Sequence, residues 1–427
     1  MKTTWSVLFG LLLAAAPAAM QAQYGYSTNT DGSIYTYSTN ADGSINFAGY
    51  AGPPWAVTIP TNINGLTVTT IGHGAFNGLT IGLSNLTSVT IPGTITSIGE
   101  DAFEYCYGLT NVTIPDSVTS IADHAFAGAG LTCVFIPGSV TNIGLYALYG
   151  DSLRAITVDS QNPVYSSVAG VVFDKSGYTL LQYPHGGIGS YTIPGGVTNV
   201  GLEAFFGCVG LTSVTIPGSV ASIGGGAFAL CYGLTNVAMA SGVATIENGA
   251  FNECTNLTGI TIPGIVAYIG WSAFASTGLT NVTIPGSVTN LGDYAFGLCY
   301  SLAGVHFLGN APFADTNVFD SDTNATVYYL PGTTGWSNTF AGLPTALWVL
   351  PNPLILNSGS SLGAQSNAFG FTISWATNIS VVVEACTNLA SPVWTPLQTN
   401  ALNNGAFHFS EALQTNIPGR YYRIRSP

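Results

Sequence analysis

The sequence predicts a mainly β fold: a solenoid of about ten coils of 22–23 residues, capped at both ends and followed by a small all-β sandwich. Three observations predict it. First, the stretch LTSVTIPGSVASIGGGAFALCYG at residues 211–233 recurs with small changes along most of the chain. The prolines of its strand-ending step fall at Pro92, Pro115, Pro137, Pro194, Pro217, Pro263 and Pro285. The phenylalanines of its Ala-Phe step fall at Phe76, Phe103, Phe126, Phe205, Phe228, Phe251, Phe274 and Phe296. Second, neighbouring intervals are 22 or 23 residues, apart from a 27-residue step between Phe76 and Phe103 and a longer gap before Phe205. Third, beyond residue 351 this rhythm gives way to short alternating runs such as FGFTISW, ISVVVEA and RYYRIRSP.

One repeat reads L-x-x-V-x-I-P-x-x-V-x-x-I-G-x-x-A-F-x-x-C. Val214 and Ile216 alternate with Ser213 and Thr215, so S-V-T-I is a short strand with one buried face. Pro217 has no N–H to give a ladder and ends the strand. Val220, Ile223, Ala227 and Phe228 then point inward from the rest of the coil. One coil cannot bury this face alone, but coils stacked at a strand spacing of about 4.8 Å can. Only the two end coils then have open edges, and those need caps.

The opening L-x-x-V-x-I resembles the leucine-rich-repeat opening L-x-x-L-x-L. The whole unit, with its IPxxVxxIGxxAFxxC continuation, resembles the BspA-like class of leucine-rich repeats of bacterial surface proteins. The likeness covers residues 55–310. It implies a leucine-rich-repeat solenoid and an extracellular binding or adhesion scaffold, not a chemistry.

Residues 1–22 carry one Lys, an apolar run and then small residues, the pattern of a secretory signal peptide. No later run of 18 apolar residues follows, so no transmembrane segment is expected. Residues 23–54 form an expected N-terminal β cap, in which YSTNTDGSI and YSTNADGSI suggest a small hairpin. The solenoid spans 55–310. It is interrupted at about 160–190, where Val171 to Phe173 and Tyr178 to Gln182, separated by DKSG, read as a projecting β-hairpin. Residues 311–350 abandon the repeat and form an expected C-terminal cap, with Trp336, Phe340 and Trp348 available to cover the last coil. Residues 351–427 are the expected β-sandwich, which loosely resembles fibronectin type III modules.

Six Lys and Arg stand against 19 Asp and Glu, a formal charge of −13, and charged residues make up only 6% of the chain. Nucleic-acid binding needs clustered basic residues. The solenoid has only Arg154 and Lys175, which excludes that class. Arg420, Arg423 and Arg425 crowd the C-terminus, where they either meet an anionic surface, giving a route of surface attachment, or are ordinary solvated strand charges.

Five of the seven cysteines, Cys106, Cys208, Cys231, Cys254 and Cys299, stand three residues after the Ala-Phe phenylalanine. They read as a ladder of buried free thiols serving as small apolar spacers. Parallel stacked side chains have poor disulfide geometry, and a ladder does not converge on a metal. His73, His124, His185, His306 and His408 show no metal spacing, and no catalytic motif or cofactor fingerprint is present. No metal and no cofactor are expected.

What remains is the strand face. Its outward positions form a nearly uncharged, Thr-rich ribbon that includes Thr113, Thr157, Thr192 and Thr215. At one coil Cys133 and Phe135 replace the usual polar pair, with Arg154 on the next. These seven residues are the candidate ligand-binding set, and the concave strand face around Phe135 is the expected site. Thr there equally serves β propensity and solubility. The leading reading is a non-enzymatic extracellular scaffold recognising a protein or glycan. The alternatives are a glycan-processing enzyme, with its site in the insertion or the C-terminal domain, and a purely structural surface spacer.

Overall fold

A computed structural model describes residues 24–28, 32–150, 152–348, 354–356, 362–365, 368–374, 380–402, 406–413 and 419–425. The signal-peptide-like segment 1–22 lies outside them. The described residues are strands and turns; no helix is long and apolar enough to cross a membrane. The chain divides into two compact units, Met1–Lys175 with Pro184–Gly186, and Ser176–Tyr183 with Gly187–Pro427.

In both units each coil is tied to the next at several places. The first is the expected strand face. In the first unit Ala56–Thr58 pairs in parallel with Ser88–Thr90, and Cys133–Ile136 with Ala155–Val158. In the second unit Gly189–Thr192, Leu211–Ile216 and Asn236–Met239 pair in order, as do Asn281–Ile284, Gly304–Phe307 and Thr326–Tyr329. A second ladder runs through the I-G step as strands of two residues. It passes through Ser97–Ile98, Ser120–Ile121 and Asn142–Ile143 in the first unit, and Ser222–Ile223, Thr245–Ile246 and Tyr268–Ile269 in the second. The third tie is the Ala-Phe turn. There Phe228 N–H donates to the Ala250 carbonyl at 2.8 Å, and Phe251 N–H to that of Ala273 at 2.7 Å.

This triple tie fixes the core. Val214, Ile216, Val220, Ile223, Ala227 and Phe228, the inward residues of one repeat, are all fully buried. The phenylalanine rings stack face to face along each unit. Phe47, Phe76, Phe103 and Phe126 have centroids 5.0–5.2 Å apart. Phe205, Phe228, Phe251, Phe274, Phe296 and Phe319 follow at 4.6–5.8 Å. Burying each ring contributes about 1.5–3 kcal/mol, and aromatic pairing adds about 0.5–1.5 kcal/mol. The repeated glycines follow from coil spacing. A Cβ on Gly224 would lie 2.8 Å from the Val200 carbonyl oxygen, and one on Gly233 would collide with the carbonyl of Val209.

At the N-terminus Gly25–Thr28, Ile34–Thr39 and Ile45–Ala51 pair in order as an antiparallel meander. Ile45–Ala51 then runs parallel to Leu66–Ile71, and Phe47 stacks on Phe76, so the meander covers the first coil. In the insertion the first unit holds a hairpin that the sequence does not mark. Tyr165–Val168 pairs antiparallel with Val171–Asp174 through the left-handed Ala169 and Gly170. Thr179–Gln182 is a strand of the second unit, parallel to Asn199–Val200.

The repeat continues one coil further than its sequence signature. Phe319 stacks on Phe296, and Phe296 N–H donates to Val318. Asp322 occupies the place of the ladder cysteines. Thr326–Tyr329 pairs with Leu343–Leu347, and Trp336 packs on Phe307 and Phe340. The C-terminal residues form two antiparallel sheets. One contains Ala368–Ser374 between Leu354–Leu356, Leu362–Gln365 and Ala406–Ala412; the other contains Ser380–Cys386 between Thr395–Ala401 and Tyr421–Arg425. Phe371, Ile373, Val381, Val383, Leu402 and Phe409 fill the space between them. Buried Ser374 Oγ donates to the Pro331 carbonyl at 2.7 Å, which ties this module to the end coil.

Candidate functional site

In the first unit Cys133 and Phe135 lie on the outward side of Cys133–Ile136, whose alternate residues Val134 and Ile136 are buried. Phe135 stands in register with Thr157, and Cys133 with Ala155. Phe135 is 50% exposed, so the inserted hairpin does not cover it. The hairpin sits against Ala155–Val158 instead: Ile156 N–H donates to Gly170 O at 2.9 Å and Val158 N–H to Ser167 Oγ at 2.9 Å. Arg154 is exposed on that neighbouring coil, its N–H bonded to the Thr132 carbonyl. Thr113 is exposed on a stretch that forms no strand. Thr192 and Thr215 are exposed and in register with each other on the second unit.

The exposed ribbon does not continue onto Gly304–Phe307. Gly304 is buried and His306 half-buried, because His306 stacks on Tyr328 at 4.9 Å and lies 4.6 Å from Trp348. Burial holds the His306 imidazole below its usual pKa.

The cysteine ladder is more than apolar filling. All five of its cysteines are buried. The thiols of Cys106, Cys231, Cys254 and Cys299 donate to the carbonyls of Phe76, Phe205, Phe228 and Phe274 at 3.0–3.1 Å. Each satisfies a backbone acceptor of the preceding coil. Burial pushes Cys106 and Cys231 up to about 12 and Cys299 to about 11, so the thiolate needed for chemistry is suppressed. Cys133 alone of the seven is exposed. We expect a thiol reagent to label Cys133 in the native protein and all seven cysteines after denaturation without reductant. A denatured count below seven would show that ladder sulfurs are paired.

The structure also assembles one group that the sequence leaves scattered. His73 Nδ1 lies 3.6 Å from Glu100 Oε2 and 3.9 Å from Asp101 Oδ2. The His73 and Glu100 side chains are strongly exposed, and such solvated pairs contribute about 0–1 kcal/mol. In the C-terminal module the arginines form ion pairs. Buried Glu384 accepts from Arg423 at 2.7 Å and Arg425 at 2.8 Å, and Arg420 pairs with Glu411 at 3.0 Å. Hydrogen bonds from Arg425 and Arg423 hold the Glu384 carboxyl below the usual range. Each of these arginines is therefore paired with a carboxylate of the module, while Arg423 and Arg425 stay exposed.

The sequence pattern of the BspA-type leucine-rich repeat region matches residues 57–169 and 182–303, more than half of the chain, in six copies. The chain belongs to the BspA-type leucine-rich repeat family. No curated protein matches it. Among solved structures it is similar to the pneumococcal vaccine antigen PcpA, with 17% identity and a TM-score of 0.50, covering 72% of this chain and 94% of that one. It is also similar to a leucine-rich-repeat protein from Bacteroides ovatus, with 28% identity, a TM-score of 0.44 and 69% of each chain covered. A leucine-rich cell-surface protein from Faecalibacterium prausnitzii gives 24% identity and a TM-score of 0.42, covering 71% of this chain and 94% of that one. The likeness to the pneumococcal antigen is one of fold.

Proposed function

We propose that the protein is a non-enzymatic binding scaffold that works outside the cell, secreted or held at the surface, and recognises a protein or glycan through its strand face. One observation carries this reading: Phe135 stands half-exposed on a ribbon otherwise made of hydroxyl, carboxamide and small side chains. A rigid exposed aromatic in a polar surround is the kind of side chain that anchors a partner. Family membership and the signal-peptide-like residues 1–22 support the setting. The C-terminal module, with seven described strands in sheets of four and three, would present or attach the solenoid, and only its sequence carries the loose likeness to fibronectin type III modules.

The enzyme alternative lacks comparable support. Glycosidic cleavage needs two carboxyl groups free to act on one bond, whereas Glu384 and Glu411 are each bound to arginine. The test is a matrix-protein and glycan-array screen with the wild-type protein and Phe135→Thr. We expect the variant to lose at least about tenfold in affinity for whatever the wild type captures, as anchors do, with its denaturation midpoint unchanged. Unaltered affinity would remove Phe135 from the site.

A further inference from the structure

The strand face of the second unit has an interruption that the repeat does not explain. Leu211–Ile216 pairs with Asn236–Met239, and Asn281–Ile284 pairs with Gly304–Phe307. The coil between them, residues 259–262, forms no strand. Its one described ladder contact is the bridge between Thr261 and Thr283. At this break lies a depression of about 350 Å³. Asn236, Thr261, Asn281 and Thr283 wall it, Gly259 opens it, and Ile260 contributes an apolar floor.

Asn236 and Asn281 line the gap and each also reaches a neighbouring coil with one atom of its carboxamide. Asn236 Nδ2 donates to Ser213 Oγ at 3.2 Å, toward the preceding coil. Asn281 Oδ1 lies over Gly304, where a Cβ would come within 2.6 Å of it. Gly259 is not demanded by the backbone. A Cβ there meets nothing within 4 Å, and the residue is not in the left-handed region. Glycine at this position therefore leaves room, and the fold does not otherwise need it.

From this geometry we infer that the notch at Gly259 is a subsite for one or two rings of a neutral saccharide. This rests on the reading of the strand face as a binding surface. The lining supplies carboxamides and hydroxyls, which both donate and accept, over a small apolar floor. It holds no charged side chain, which disfavours phosphate, carboxylate or cationic ligands. Its volume is at the lower end of the roughly 300–1,000 Å³ of small-ligand sites. A hydroxyl-rich ring with one apolar face matches that inventory.

The experiment titrates the full chain with neutral tetrasaccharides built from glucose, mannose, galactose or N-acetylglucosamine, read by saturation-transfer NMR and calorimetry. Gly259→Val places its Cβ and branch in the open space of the notch, and Asn236→Ala removes one wall. Asn236→Ala keeps the test decisive even if the valine disturbs the coil. We expect at least one saccharide to bind the wild type, and both variants to weaken it about tenfold or more, the worth of one or two hydrogen bonds. No binding by any saccharide, or binding that survives both Gly259→Val and Asn236→Ala, overturns the inference. If Phe135→Thr alone abolishes saccharide binding, the notch is wrong while the strand-face reading stands. If a matrix protein binds and is insensitive to Phe135→Thr while the notch variants lose saccharide, the anchor is wrong and the notch stands.

Discussion

Phe228→Ala will destabilise the stack by about 3–5 kcal/mol, while Thr215→Ala will stay within about 0.5 kcal/mol of the wild type. Phe228 is fully buried between Phe205, 4.6 Å away, and Phe251, 5.1 Å away and nearly parallel. Truncation opens a cavity and removes two aromatic contacts at once. The carbonyl of Phe228 accepts the Cys254 thiol, and its N–H donates to Ala250, so a shift of this backbone also loosens the next coil. Thr215 is exposed on the same coil, and its Oγ has no described partner. Coupling in a solenoid runs between neighbours, so the damage should concentrate in the coils from Phe205 to Cys254. Denaturant midpoints give the energies, and hydrogen exchange places them. Equal midpoint shifts for the two variants would refute the assignment of inward and outward faces.

The same coil shows what a sequence reveals and what it conceals. Val214, Ile216, Val220, Ile223 and Phe228 were legible because side-chain alternation and a fixed period both report which way a residue points. The second ladder was not, because Ser222–Ile223 is two residues long and has no room for a period of two. The left-handed residue before each Ala-Phe step was half-legible. Glycine marks it at Gly74, Gly226 and Gly249, but Asp101, His124, Tyr146, Glu203, Ser272 and Tyr294 hold the same turn with φ of 50–55°. Stacking imposes that conformation on residues that would avoid it in isolation. Phe135 stood out because it breaks a run of small polar residues. Gly259 did not, because one more small residue in that run is unremarkable until the pairing around it fails. Glu384 could not be matched to Arg423 and Arg425 from sequence, since 39 and 41 residues separate them.

The last coil will respond to pH through Asp322. This residue is 2% exposed, and no side chain among the described residues hydrogen-bonds its carboxyl oxygens. One coil earlier the same place holds Cys299, whose thiol donates to the Phe274 carbonyl at 3.1 Å and also meets Thr277 Oγ1 at 3.2 Å. A carboxyl can donate in that way only when protonated. Burial pushes Asp322 up to about 7 from 3.8; the backbone at Cys299 partly opposes this, and the Asp320 carboxylate adds to it. Below 3.8 the folded and unfolded chains both hold the proton and pH has no effect. Between 3.8 and about 7 the unfolded chain ionises while the folded one does not, so stability falls as pH rises. Above about 7 the full cost is present, about 4 kcal/mol at 1.36 kcal/mol per unit. Neighbour-only coupling confines it to the end coil and the strands that cover it. Asp322→Cys restores the ladder residue and removes the titration. Hydrogen exchange across residues 310–348, normalised for intrinsic rates, should show wild-type protection dropping about a thousandfold from pH 4 to pH 8, with the cysteine variant nearly flat. Parallel profiles for the two proteins would mean that Asp322 is ionised throughout, satisfied by water or by a rearranged cap.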